Sequence, residues 1–280
     1  MKEKKIAVID SDFLFFVSLT GEKILDINGQ PVKVDNKFTY RERTFEESCN
    51  IADNYITNIL NVTNATHYIG FFSGSSKSRK DINPDYKANR KDLEPLKNLV
   101  EMKHYLYDKW KFIWLTSYIS EQTEEDCIQE TDDFVVSYVK QNPDCFIVSP
   151  DKDLLMLEGN HYNPKKNEWV FVDKSKEELN FWISMICGDT ADNIKGLPGK
   201  GQSYCNYLYQ DISHLDSKSL GTTCFEAYVQ FYNWNYDLAI NKFYKNYKCL
   251  KLVDNLDVSM FTPIEWNNPI LTETNYEDLP

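Results

Sequence analysis

Acidic residues gather at four separated places in this chain: Asp10; Glu130, Asp132 and Asp133 in Glu-Thr-Asp-Asp; Asp151 and Asp153 in Asp-Lys-Asp; and Asp189 and Asp192 in Gly-Asp-Thr-Ala-Asp-Asn. Taken alone, Ser149-Pro150-Asp151 before an apolar run reads as ordinary helix-cap chemistry. Taken together, the clusters raise a different question. If they share one crevice without cations, their mutual repulsion in a low dielectric costs many kcal/mol. Two divalent ions would remove that penalty. Mg²⁺ or Mn²⁺ accepts carboxylate and water ligands, with only one or two carboxylates bound directly. Such a pair can stabilise the attacking and leaving oxygens of an in-line phosphoryl displacement. The chemistry expected is phosphodiester hydrolysis by a metal-activated water.

Other metal chemistries fit poorly. The seven cysteines are scattered and never in CxxC spacing, and the four histidines (67, 104, 161 and 214) form no HxxxH-type pair. Neither a zinc site nor a disulfide framework is expected, and a reducing compartment is. The net charge is −12 over 280 residues, yet residues 77–91 hold Lys77, Arg79, Lys80, Lys87, Arg90 and Lys91 against Asp81 and Asp85. A local basic strip in an acidic chain suits phosphate contact, with a solvated surface as the plainer reading. No apolar run approaches a membrane span, and the apolar stretch after the N-terminal lysines ends at Asp10, too early for a signal peptide. A cytoplasmic protein without membrane partners is expected.

The elements that must position these residues are legible from periodicity. Short apolar runs ending at polar residues (5–9, 67–72, 145–148 and 169–172) read as strands of a largely parallel sheet. Helical spacing covers 45–60, 92–108 and 131–140. The fold class expected is α/β, with a mostly parallel central sheet flanked by helices. In such sheets, ligands bind at the carboxyl ends of the strands where strand order reverses, and Asp10, Ser73 and Asp151 fall at those ends. After about residue 175 the pattern becomes helix, glycine-rich turn, helix. The aromatics at 225–247 read mostly as helical core rather than as a base-stacking platform, and the last twenty residues read as an acidic tail.

The ordered set Asp10, Tyr-Lys-Ala-Asn-Arg (86–90), Glu-Thr-Asp-Asp (130–133), Asp-Lys-Asp (151–153) and GDTADNIKGLPGKG (188–201) resembles the 5′ nuclease superfamily. That group holds flap endonucleases, bacteriophage 5′→3′ exonucleases and the 5′-nuclease domain of DNA polymerase I. With no polymerase region, the chain looks like a free-standing bacteriophage-type enzyme.

The resemblance implies a PIN-like nuclease domain at 1–174, with an arch segment at about 75–125. It also implies a helix–hairpin–helix region and acidic tail at 175–280. Metal would be held by Asp10, Glu130, Asp132, Asp133, Asp151, Asp153, Asp189 and Asp192. Lys87 and Arg90 would serve catalysis. Lys77, Arg79, Lys80, Tyr86, Gly196, Gly199, Lys200 and Gly201 would contact nucleic acid, with a K⁺ ion as an option at the glycine turn. Substrates would be DNA with 5′ ends, flaps or nicks, and RNA in RNA–DNA hybrids. The implied role is primer or flap removal in replication, which leaves room for a replication-protein partner.

Two departures stand out. The family places an aspartate just after the second strand, where this chain has Ser73, and the lysine of GxGxKxA is missing after Gly201. Ser73 keeps open a second reading, a DNA-junction binding protein with weakened turnover. A third reading is a haloacid-dehalogenase-type phosphatase, since Asp10-Ser11-Asp12 follows a strand and GDTADN comes late. It gives no role to Asp-Lys-Asp, to Glu-Thr-Asp-Asp or to the glycine turn.

Overall fold

The computed structural model describes residues 4–35, 37–90, 94–211 and 216–266. Lys91, His214 and the acidic tail expected beyond 266 lie outside these residues. A sheet of seven strands organises the first two-thirds of the chain: β1 (Ile6–Asp10), β2 (His67–Phe72), β3 (Ile113–Trp114), β4 (Cys145–Val148), β5 (Gly159–Asn163), β6 (Glu168–Val172) and β7 (Ile264–Glu265). Its order is β6-β5-β4-β1-β2-β7, with β3 also paired to β2. β1 pairs in parallel with β2 and β4, β4 with β5, and β2 with β3. Only β6 and β7 run antiparallel to their neighbours.

Every residue of β1 is buried because both faces of the sheet are covered. Ala7 and Ile9 face one core with Phe13 and Leu14 of α1 (Asp12–Leu19), Ala52 and Ile56 of α2 (Phe45–Val62) and, beyond the short α3 (Lys77–Ile82), Met102 and Leu106 of α4 (Leu99–Trp110). Ile6 and Val8 face another with Leu115 of α5 (Leu115–Thr123), Phe134, Val135 and Tyr138 of α6 (Thr131–Gln141), and Phe261. This is why β1 reads as a continuous apolar run rather than an alternation. Each such side chain contributes about 1.5–3 kcal/mol of burial. The chain passes from β1 to β2 on one side and later to β4 on the other, so strand order reverses at the end of β1, where Asp10 stands.

A third core lies under α7 (Lys174–Cys187), α8 (Gln202–Tyr209), α9 (Ser217–Phe231) and α10 (Tyr236–Leu250). Most of the late aromatics pack there, including Tyr228 and Phe243, while Trp234, Tyr236 and Tyr244 face solvent. Between α7 and α8, a two-stranded ladder (Gly188–Asp189 with Ile194–Lys195) precedes the glycine turn. The helices expected after residue 175 are present, and one further feature was not expected. After α10 the chain returns to the sheet, burying Val258 and Phe261 and pairing β7 with His67 and Tyr68. Two residues at an edge carry too little pattern to be read as a strand.

Candidate active site

Four segments deliver carboxylates to the C-terminal edge of the sheet. Asp10 ends β1, and its Oδ2 accepts a 2.9 Å hydrogen bond from Ser149 Oγ at the end of β4. Ser149 Oγ in turn accepts from Asp151 N, and Asp151 Oδ1 accepts from Asp153 N at 2.9 Å, opening the short 3₁₀ turn Asp153–Met156. Asp151 thus closes a local turn ahead of this segment, whose N-cap position is Lys152 without a side-chain cap bond, and its second oxygen stays available. Glu130 and Asp133 form a reciprocal capping box at the start of α6. Asp189 Oδ1 accepts from Ala191 N and Asp192 N, folding the ladder turn back on itself.

A crevice of about 930 Å³ is lined by Asp10, Asp12, Glu130, Asp132, Asp151, Asp153 and Asp192, with Lys87, Arg90, Lys152, Lys165 and Lys166. The acids divide by partner. Lys87 Nζ lies 2.5 Å from Glu130 Oε1 and 3.6 Å from Asp192 Oδ2, and Arg90 Nη2 lies 2.6 Å from Asp192 Oδ1. Lys152 reaches Asp189 at 3.4 Å and Asp153 at 3.9 Å. Among the described residues, Asp10, Asp12, Asp132 and Asp151 have no cationic side chain within 4 Å. Asp132 also accepts no hydrogen bond from the described residues, although burial and the charges of Asp10, Asp151 and Glu130 push its carboxyl well above the ordinary range. Burial, then Asp12 and Asp151, raises Asp10 to about 7; burial, then Asp151 and Asp189, raises Asp153 to about 7.

Several predicted residues serve other purposes. Asp133 is fully buried and turned away from the crevice. Arg79 holds it through two hydrogen bonds of 2.7 and 2.8 Å, and Val253 N donates to it at 2.8 Å. It fixes the start of α6 and is not placed to hold a metal.

Arg79, read as a phosphate contact, is 3% exposed and also donates to Cys249 O, so it is a buried strut. Tyr86, read as a stacking ring, is 1% exposed; its hydroxyl lies 2.8 Å from Glu130 Oε2 and 2.5 Å from Asp192 Oδ2. Its ring belongs to the core beneath the C-terminal helices, so it orients acids rather than bases. Gly196 is a packing position, since a Cβ there would lie 2.1 Å from Ile186 O.

Lys80 is exposed, and Lys77 is exposed with Asp126 at 3.0 Å. Gly199, at φ +74°, and Gly201 have open space where a Cβ would be. Lys200 lies over the Tyr204 ring. The structure adds Asp12, the Lys165-Lys166 pair in the β5–β6 turn, and Phe16, which is 60% exposed on α1 at the crevice lip. An exposed phenylalanine one turn past an acid, and a lysine pair between two asparagines, were visible signals for the last two.

Crystal structures with matching topology come from bacteriophage T5. A T5 flap endonuclease in complex with DNA and metal ions superposes with a TM-score of 0.58 at 15% identity, covering 90% of this chain and 92% of that one. A T5 protein co-crystallised with metal ions gives 0.57 at 17% identity over the same shares. The chain shares the fold of these T5 structures. No protein-family model matches the sequence. A DNA polymerase I from Rhizobium leguminosarum is 28% identical over 170 residues, covering 54% of this chain and 16% of that polymerase.

Within this fold, the donor set can be tested against a divalent cation. Among the described residues, no three acidic, histidine or cysteine side chains are drawn close enough to enclose an ion unaided. The spacing therefore leaves room for water ligands, which Mg²⁺ retains. Four carboxylates without cationic partners, one of them without any hydrogen bond, are the arrangement a hard divalent ion would offset. At an effective dielectric of 20, each carboxylate pair held about 4 Å apart would otherwise cost about 4 kcal/mol. The residues fit such an ion.

Proposed function

We propose that this chain is a divalent-metal-dependent, structure-selective 5′ nuclease that hydrolyses DNA phosphodiesters at 5′ ends, flaps or nicks. The observation that carries this is the convergence of Asp10, Asp132 and Asp151, all without cationic partners, on one crevice bordered by Lys87 and Arg90. Mg²⁺ or Mn²⁺, held chiefly by Asp10, Asp132 and Asp151 with Glu130 and Asp153 nearby, would supply an activated water and neutralise charge on the scissile phosphate. A second ion would draw on Asp153, Asp189 and Asp192. Lys87 and Arg90 would then exchange their carboxylate partners for phosphate as charge develops. Phe16 offers an exposed ring for an unpaired base, and Lys165 and Lys166, which line the same crevice, offer phosphate contacts.

Gly199 and Gly201 keep a backbone surface open enough for a duplex phosphate, in the manner of a helix–hairpin–helix element, where K⁺ would bridge. Within the 75–125 segment expected as an arch, α4 and β3 pack in the core and the sheet, so the arch reading is kept for the rest of that segment. Action on RNA–DNA hybrids in primer removal, within the cytoplasm, is the natural setting of this reading. Among the described residues, no helix is long and apolar enough to cross a membrane.

Cleavage of 5′-flap and nicked duplexes in Mg²⁺ and in Mn²⁺ tests the proposal. Metal-dependent release of 5′ products is expected. Binding without cleavage in either metal would replace it with the junction-binding reading that Ser73 suggests. Hydrolysis of small phosphate monoesters without any nuclease activity would replace it with a phosphatase.

A further inference from the structure

Asp12 was not among the acids that motif order picks out, yet it occupies a distinctive place. It opens α1 two residues after Asp10, and its main-chain N–H lies 3.4 Å from Asp10 Oδ1. Its two oxygens reach across the crevice floor in different directions. Oδ1 accepts from Ser73 N at 2.9 Å, at the end of β2, and Oδ2 accepts from Thr131 Oγ1 at 2.8 Å, at the start of α6. The carboxylate therefore fills the space between the backbone of residue 73 and the N-terminus of α6. Ser73, where the 5′-nuclease pattern carries aspartate, adopts φ +54° and donates its N–H to that same carboxylate.

Both donors are neutral. Among the described residues no lysine or arginine lies within 4 Å of Asp12; Lys103 and Lys87 act on it only from farther away, so its charge is oriented by neutral donors and offset only in part. A structural tie alone would be made as well by Asn or Ser, without placing a further negative charge beside Asp10 and Asp132.

We propose that Asp12 supplies the acid that position 73 lacks, completing with Asp10 and Asp132 the half of the site that takes the divalent cation. This rests on the nuclease reading above. The carboxylate has moved from the end of the second strand to the start of the first helix while reaching the same space. Thr131, which also accepts from Gly74 N at 3.0 Å, holds it in position. Site and fold are retained; only the backbone that carries the acid differs.

The test measures Mn²⁺ binding calorimetrically and by electron paramagnetic resonance, alongside flap cleavage. Asp12→Asn keeps the shape and one acceptor, and is expected to weaken Mn²⁺ binding by about tenfold or more, as loss of an ordered ligand-shell group does. Its melting temperature in chelator should be unchanged or higher, and the rise on adding Mn²⁺ smaller than in the parent. The exchange variant Asp12→Ser with Ser73→Asp returns one carboxylate to the space, and residue 73 accepts aspartate because Asp tolerates the left-handed region. It is expected to bind Mn²⁺ nearly as well as the parent, and it carries the test should Asp12→Asn fail to fold.

Parental Mn²⁺ affinity in Asp12→Asn, or an exchange variant that folds without binding Mn²⁺, would overturn the assignment. Asp132→Asn separates the two levels. If it abolishes Mn²⁺ binding and cleavage while Asp12→Asn changes neither, the nuclease reading stands and the role of Asp12 falls. If the parent neither binds Mn²⁺ nor cleaves, both fall.

Discussion

Asp132 and Asp133 are consecutive on α6 and have opposite surroundings. Asp133 is enclosed by Arg79 and two main-chain N–H groups, whereas Asp132 faces other carboxylates. Removing one partner of a buried ion pair strands the other, at about 3–5 kcal/mol. Arg79→Ala should therefore lower the unfolding free energy by that amount in urea titrations. An unchanged midpoint with weakened DNA binding would restore the phosphate-contact reading.

Asp132→Asn should do the reverse to the metal-free protein, raising its melting temperature while abolishing cleavage. The raised carboxyls make a further statement. Asp10 and Asp153 have folded pKa values of about 7, above their unfolded value of 3.8, so the metal-free native state binds more protons than the unfolded state across that interval. Stability then falls as pH rises through the window from about 4 to 7. Melting temperature in chelator should decline across it, and the increment from Mg²⁺ should grow. A flat increment would mean that these acids are not the ones that meet the ion.

At the scale of elements, the segment from Asn83 to Arg90 is stitched to the ladder turn after α7. Lys87 N donates to Asp192 O at 2.9 Å, Asn193 Nδ2 to Asp85 O at 2.7 Å, and Arg90 Nε to Ala191 O at 3.2 Å. Lys87 is thus anchored through its main chain, and Arg90 through its guanidinium, to the loop that carries Asp192. Lys87→Ala should reduce the single-turnover rate by roughly 10²-fold or more with a smaller effect on DNA affinity, as for a group that acts mainly on the transition state. Equal losses in rate and affinity would make Lys87 an anchor only.

The glycine turn separates packing from recognition. Gly196→Ala should destabilise the protein strongly, because the new methyl would meet the Ile186 carbonyl. Gly201→Ala, with open space at its Cβ, should leave the melting temperature nearly unchanged. Weakened duplex binding in the stable Gly201 variant would identify the open backbone as a phosphate contact.

For the molecule as a whole, strands whose apolar runs end in acids were readable because both sheet faces are covered. The start of α6 was readable because its cap is acidic. Sequence could not reveal which acids would be paired. Arg79 lies in a basic strip and reads as solvent-facing until the last turn of α10 is seen to close over it. Asp12 looks like an ordinary first-turn acid until Ser73 and Thr131 meet it. The return of the chain was hidden as well, since two residues of edge strand carry no period. Removing residues 252–266 should therefore cost more than the loss of a tail, because it exposes Phe134 and Tyr138 and strips a donor from Asp133. Failure of that truncation to fold cooperatively is the expected result in thermal denaturation followed by circular dichroism.

The contacts of Cys249 O with Arg79, and of Val253 N with Asp133, also set an order in time. The acids at 10, 130 and 151 are synthesised early, but the struts that aim the start of α6 arrive only when residues 249–253 leave the ribosome. A nascent chain still short of that point holds the carboxylates without their frame. On the nuclease reading proposed above, cleavage competence would therefore wait on residues 249–253, and a nascent chain short of them would pose little hazard to the nucleic acid around it.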